Sequence, residues 1–219
     1  MQKYKNILKD RTQAANKLKE ILPMQKLKEE NWIFVAVSPG GLEIAHIIKG
    51  NLRNKLDYLF SEPILAPNNA ECEIARVSEN EDIVIIDELA RSFDIQYDYI
   101  YGEAHRKHEE KILSHIYQYR KGKPFIDIQD KVVLLLDEGA ETGMKFTTAI
   151  KSVLGMKPKA VYAAAPILPT TVIENLEPFA DEVFFAYNID DYVETALYYN
   201  NLPPVNEERI EKILGEEIK

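Results

Sequence analysis

The stretch from Lys131 to Thr148, KVVLLLDEGAETGMKFTT, constrains the fold of this chain more than any other. Val132 to Leu136 are apolar without a break and lie between Lys131 and Asp137. A run this short, aliphatic and partly β-branched, predicts a strand buried on both faces, as in a parallel sheet. The chain then passes at once to two acids, Asp137 and Glu138, and through Gly139, Ala140, Glu141, Thr142 and Gly143. Phe146 to Leu154 has helical apolar spacing and predicts a helix. Strand, small-residue turn and helix start put backbone N–H groups at the carboxyl edge of a sheet, where open α/β sheets bind ligands. Those amides and the helix dipole favour a phosphate. The two acids would repel it unless they face another part of the ligand. Sugar hydroxyls, whose hydrogen bonds a carboxylate accepts, or a divalent cation such as Mg²⁺ would suit them.

The rest of the chain narrows the class. Its 219 residues fit one α/β domain, with at most a small accessory piece. A net charge of −9 and a pI near 5.1 oppose a nucleic-acid surface, which is normally basic. The single cysteine, Cys72, cannot form an internal disulfide and fits a reducing compartment. No apolar run approaches the length of a membrane span, and the opening MQKYKNILKD lacks the apolar core of a signal peptide. The expectation is a soluble cytoplasmic protein without nucleic-acid or membrane partners.

In chain order, Asp10 is a candidate N-cap for a helix to about Leu22, with Ala14, Leu18 and Ile21 on one face and Pro23 closing it. Trp32 to Val37 predicts a central strand, followed by a Ser38–Gly41 turn and a helix over 42–49 stopped by Gly50. Leu56 to Phe60 predicts a further strand. Pro63, Pro67, Asn68 and Asn69 predict a turn-rich loop, leading to short strands over 73–77 and 82–86. A long helix is expected from about Tyr97 to Tyr119, ending in the basic run from Arg120 to Pro124. His105, His108, Glu109 and His115 on this helix lack the usual zinc spacings and read as a solvated face. Strands over 159–165 and 181–187 flank a short helix over 170–176, and a polar helix spans about 206–214. Alternating strands and helices from 32 to 187 predict a doubly wound α/β fold, its sheet mainly parallel with helices on both faces.

The acidic pair and its loop resemble the phosphoribosyl-diphosphate (PRPP) loop of type I phosphoribosyltransferases. The turn at Gly40-Gly41, the APNN segment ending near Glu71, and DEVFFAY at 181–187 follow in the order of a bacterial branch of that family. The resemblance implies that Asp137 and Glu138 bind the ribose hydroxyls and hold Mg²⁺ indirectly, through water or the ribose. It implies that Gly139, Ala140, Thr142, Gly143, Met144 and Lys145 cradle the 5-phosphate, and that Ser38, Gly40 and Gly41 approach the pyrophosphate. Glu141 stands where purine-salvage members carry a general base; its rival reading is a solvent-facing loop acid. A core over about 30–190, a small hood from about 1–25 and 190–219, and a homodimer are further implications. Segment 73–86 would be the loop that closes over the site.

Three positions depart from the branch's pattern. Pro39 replaces an arginine before the paired glycines, Glu62 and Pro63 replace a basic pair, and Lys145 replaces a Thr or Ser. The first two remove charge that would meet pyrophosphate, and Lys145 returns one cation beside the phosphate cradle. The implied activity is Mg²⁺-dependent transfer of phosphoribose from PRPP to a nucleobase or related nitrogen acceptor, with release of pyrophosphate. The alternative is a non-catalytic protein that binds PRPP or a nucleotide monophosphate and regulates a partner.

Overall fold

The computed structural model of the protein describes residues 6–217. The expected ends of the hood at 1–5 and 218–219 lie outside the described residues. The main sheet has five parallel strands in the order β2 (Leu56–Tyr58), β1 (Ile33–Ala36), β6 (Val132–Leu136), β7 (Ala160–Pro169) and β8 (Glu182–Ile189). Both the sequence-predicted strand order along the chain and the parallel character hold. β1 pairs with β2 on one side and β6 on the other, so the strand order reverses between β1 and β6. This is the switch point at which doubly wound sheets open a crevice.

Alternate residues of the central strands feed two apolar layers. Phe34, Ala36, Leu134 and Leu136 pack with α1 (Arg11–Ile21) and α3 (Pro39–Lys49) on one face. Val35, Val133, Leu135 and Ala163 pack with α7 (Met144–Gly155) and α8 (Thr170–Leu176) on the other. Burial on both sides is why the strands read as unbroken apolar runs. In α1 the Asp10 carboxylate accepts from the Gln13 N–H at 2.9 Å, as the cap pattern predicts. Ile21, expected on the buried face, is 41% exposed, because the helix ends there and the chain turns away at Leu22 into the short α2 (Met24–Glu29).

The segment from Ser61 departs most from expectation. In place of a loop, β3 (Ser61–Ala66) and β4 (Asn69–Ser78) form a hairpin across Pro67 and Asn68, and β5 (Ile83–Ile85) completes a three-stranded antiparallel sheet. Pro63 is tolerated because β3 is an edge strand. A short helix, α4 (Asp87–Ser92), follows, and the long helix is α5 (Tyr97–Lys107) joined to α6 (Leu113–Arg120) through a π-turn at His108–Ile112. The histidines do not converge: His108 meets the Glu79 carbonyl at 3.1 Å, and His115 lies 3.9 Å from Glu62. The chain ends in a 3₁₀ turn at Thr195–Tyr198 and α9 (Glu207–Glu217). Among the described residues no helix is long and apolar enough to cross a membrane.

Arg120 ties the two sheets together. It is 2% exposed and is paired with Glu79 beyond β4 and, at 3.6 Å, with Asp57 of β2. Phe60 and Phe125 lie under its guanidinium, at 5.0 and 5.7 Å. Burial pushes the Glu79 carboxyl up to about 7, against the pull of Arg120. Between the ordinary value of 4.5 and 7 the folded protein keeps a proton that the unfolded chain has lost. Stability therefore falls as pH rises through that window and is level above it, by up to about 1.4 kcal/mol per pH unit. Wild type should lose stability relative to Glu79→Gln between pH 5 and pH 7.5 in urea denaturation. Parallel pH profiles for the two proteins would contradict this.

Candidate functional site

At the switch point the loops after β1 and β6 meet. Ser38 caps α3: its hydroxyl accepts from the Gly41 N–H at 2.9 Å and donates to Oδ1 of Asp137. Asp137 is 1% exposed, and the same Oδ1 accepts from the Glu138 N–H at 2.7 Å. Its second oxygen, Oδ2, is buried and has no partner among the described residues.

α3 begins at Pro39, so Gly40 and Gly41 lie in its first turn rather than in a free loop. A Cβ at Gly41 would stand 2.2 Å from the Leu136 carbonyl, and one at Gly40 would stand 2.0 Å from the Glu138 carboxyl carbon. Close packing against β6 and its following acid accounts for both glycines. Ser38 likewise spends its hydroxyl on the protein, as an orienter of Asp137.

The two acids part company. Glu138 receives the Arg11 Nε–H at 2.6 Å, and Arg11 also reaches Glu43 at 3.3 Å and the Pro203 carbonyl at 2.7 Å. Burial raises the Glu138 carboxyl above its usual range, and the Arg11 hydrogen bond and charge oppose that rise. The Glu138 carbonyl accepts from the Tyr199 hydroxyl at 2.7 Å, fixing the tail to the loop. Tyr199 is 3% exposed, which places it in the core rather than on a surface.

From Gly139 to Gly143 the backbone turns toward α7, with Gly143 at φ +75, a left-handed position that suits glycine. The amides of residues 139–143 find no hydrogen-bond partner among the described residues. Glu141 is exposed, and its Oε1 accepts from the Thr195 N–H of the tail at 3.2 Å.

These residues line one wall of a cleft of about 410 Å³. Asp137, Gly139–Lys145 and Thr195 line it together with Glu71, Cys72, Glu73 and Arg76 of β4, and with Ile86 and Leu89. The sequence-predicted phosphate loop is thus gathered in one place with Asp137 and Glu141. Glu138 and the Ser38–Gly41 turn are not among the residues that line it. Arg76 went unnoticed in sequence because a lone arginine in a strand carries no motif; its register opposite Pro63 brings it to the cleft. Nε and both terminal nitrogens of Arg76 are already engaged, by Glu73 at 2.7 and 3.2 Å and by Ser61 at 3.1 and 3.3 Å. Among the described residues no group of three or more His, Cys, Asp or Glu side chains could hold a metal ion.

No family model matches the chain. It is 22% identical over 174 residues to the Mycobacterium tuberculosis proteins Rv0571c and MT0597, whose names give phosphoribosyl transferase as a provisional activity. The match covers 80% of this chain and 39% of each of those proteins, so the chain spans about two fifths of their length. Among solved structures, the TT1426 protein of Thermus thermophilus is 26% identical with a TM-score of 0.77, over 95% of this chain and 98% of that one. A Neisseria gonorrhoeae protein solved with bound ppGpp is 11% identical with a TM-score of 0.50, over 99% of both chains, a likeness of fold alone. The resemblance to type I phosphoribosyltransferases is borne out as a likeness to proteins that carry that provisional name.

The packing at Gly41 gives a direct test. Gly41→Ala should cost about 1–3 kcal/mol in urea denaturation, because the carbonyl it meets belongs to the buried backbone of β6. Gly102→Ala, in open space on α5, should instead gain up to about 1 kcal/mol from helix propensity. Equal effects of the two substitutions would contradict the packing role.

Proposed function

We propose that this chain is a phosphoribosyltransferase that binds PRPP in the cleft between the loop after β6 and strand β4. It would transfer phosphoribose to a nitrogen acceptor and release pyrophosphate. The observation that carries the reading is the run of unpartnered amides at 139–143 beside the buried, unpartnered Oδ2 of Asp137. Unpaired backbone donors leading into a helix suit a 5-phosphate, and Lys145 on the first turn of α7 adds a cation. An orphaned carboxylate oxygen suits a ribose hydroxyl, since a buried acceptor left unpaired costs about 1–3 kcal/mol.

The protein's own contribution is orientation and charge. The loop amides fix the phosphate, and Asp137, oriented by Ser38, fixes the ribose. The acceptor nitrogen bonds to C1 as the C1–O bond to pyrophosphate breaks, with the electron pair leaving on the pyrophosphate oxygen. Glu141 takes the proton from the acceptor nitrogen; one of its oxygens is held by the tail and the other is left for the substrate. Mg²⁺ suits this site as a cation brought with the ligand, because Asp137 offers one free oxygen and no cage of protein ligands surrounds it among the described residues. When bound, Mg²⁺ would neutralise charge on the pyrophosphate.

A second reading keeps the binding and drops the turnover. The engagement of Arg76 favours it, together with the absence of basic residues at Pro39, Glu62 and Pro63, since pyrophosphate then meets little uncommitted positive charge. Such a protein would hold PRPP or a nucleotide monophosphate without releasing pyrophosphate.

Calorimetric titration with PRPP and Mg²⁺ separates the acids. Asp137→Asn should weaken binding at least about tenfold, or 1.4 kcal/mol, and Glu138→Gln should weaken it less because Arg11 already holds Glu138. Wild-type affinity in Asp137→Asn would remove Asp137 from the site. Binding without pyrophosphate release, across a panel of bases, would favour the second reading.

A further inference from the structure

The cleft carries information about the acceptor that the resemblance does not supply. Four carboxylates line it, on Glu71, Glu73, Asp137 and Glu141, against two cations, on Arg76 and Lys145. What matters is which of these groups are still available. Glu73 and Arg76 neutralise one another, and every nitrogen of Arg76 already has a partner in Glu73 or Ser61. The Glu71 carboxylate has no hydrogen-bond or ion-pair partner among the described residues. Glu141 has one oxygen committed to Thr195, and Asp137 has one oxygen committed and one orphaned. Lys145 is the cation without a hydrogen bond among these residues, and it stands beside the phosphate loop. Away from that loop the cleft presents one spare acceptor, the Glu71 carboxylate, with the apolar Ile86 and Leu89.

Resting on the transferase reading above, we infer that the acceptor is an uncharged or cationic heterocycle rich in N–H donors, and that bases bearing a carboxylate are excluded. Glu71 is the specificity-determining residue. It accepts hydrogen bonds from ring or exocyclic N–H groups of a base lying against Ile86 and Leu89. A carboxylate on the base would meet the charges of Glu71 and Glu141, with the one uncommitted cation, Lys145, on the phosphate side, and like charges at close range repel. In the reaction the acceptor nitrogen exchanges its proton, taken by Glu141, for the bond to C1, and pyrophosphate leaves with the electron pair.

The test has two arms on the full chain. PRPP binding with Mg²⁺ is measured by calorimetry. Pyrophosphate release is then followed with aminopurines and aminopyrimidines on one side and pyridine and pyrimidine carboxylates on the other. The expected result is release with amino bases at kcat/KM at least about a hundredfold above the carboxylates, the equivalent of 2.7 kcal/mol. Glu71→Gln should lower kcat/KM for the amino base while PRPP affinity stays unchanged, and Glu71→Lys should narrow the gap to the carboxylates. Because Glu71 is exposed at the end of a strand, both variants should unfold at the wild-type urea midpoint. Bound PRPP with a carboxylate base preferred, or with no discrimination, would overturn the inference and leave the transferase reading standing. Failure to bind PRPP would overturn the reading itself, and the inference with it.

Discussion

The structure depends on how closely the start of α3 approaches the end of β6. In a doubly wound sheet the two loops at the switch point diverge and leave a crevice. Here two glycines without side chains let α3 press against Leu136 and Glu138, and Ser38 joins the loops by bonding Asp137. That contact fixes the rotamer of Asp137, with Oδ1 tied to Ser38 and the Glu138 amide and Oδ2 unpartnered among the described residues. The orphaned oxygen follows from this geometry. So does the course of the loop, since its first residues are pinned on both sides.

From the same constraint comes the division of labour between two adjacent acids. Successive residues leaving a strand point to opposite sides, so Asp137 and Glu138 cannot both face the cleft while the backbone stays extended. Glu138 turns toward α1, where Arg11 neutralises it and links it to Glu43, and Arg209 completes the chain at 3.0 Å. A half-buried carboxylate without Arg11 would be costly. The tail is drawn in by the same residue through Tyr199, and by Glu141 through Thr195. Gly139 has Thr195 and Tyr192 within 3 Å of where a Cβ would lie, so tail and loop are packed as one unit.

Much of this was legible in the sequence. The strand over 132–136, the acids after it and the helix beyond are separated so sharply by polarity that the fold class and the place of the loop at the sheet edge follow from pattern alone. Asp10 as a cap and the parallel strands themselves are equally plain. The β3–β4 hairpin was hidden because Pro63, Pro67 and the asparagines signal turns, and an edge strand tolerates proline where a central one would not. Arg11 and Arg76 were hidden for a different reason: each acts through partners that no local motif marks, with Arg11 and Glu138 standing 127 positions apart. The roles of Gly40 and Gly41 turned on what fills the space beside them, which no local pattern records.

The most direct measurement is amide hydrogen exchange with and without PRPP and Mg²⁺. If the ligand's phosphate sits on the unpartnered amides, protection should appear at residues 139–145, with a smaller effect on the strand carrying Glu71 to Arg76. Ligand-induced protection confined to other parts of the chain, such as the hollow lined by Arg11, Arg209 and Lys212, would contradict the placement of the site.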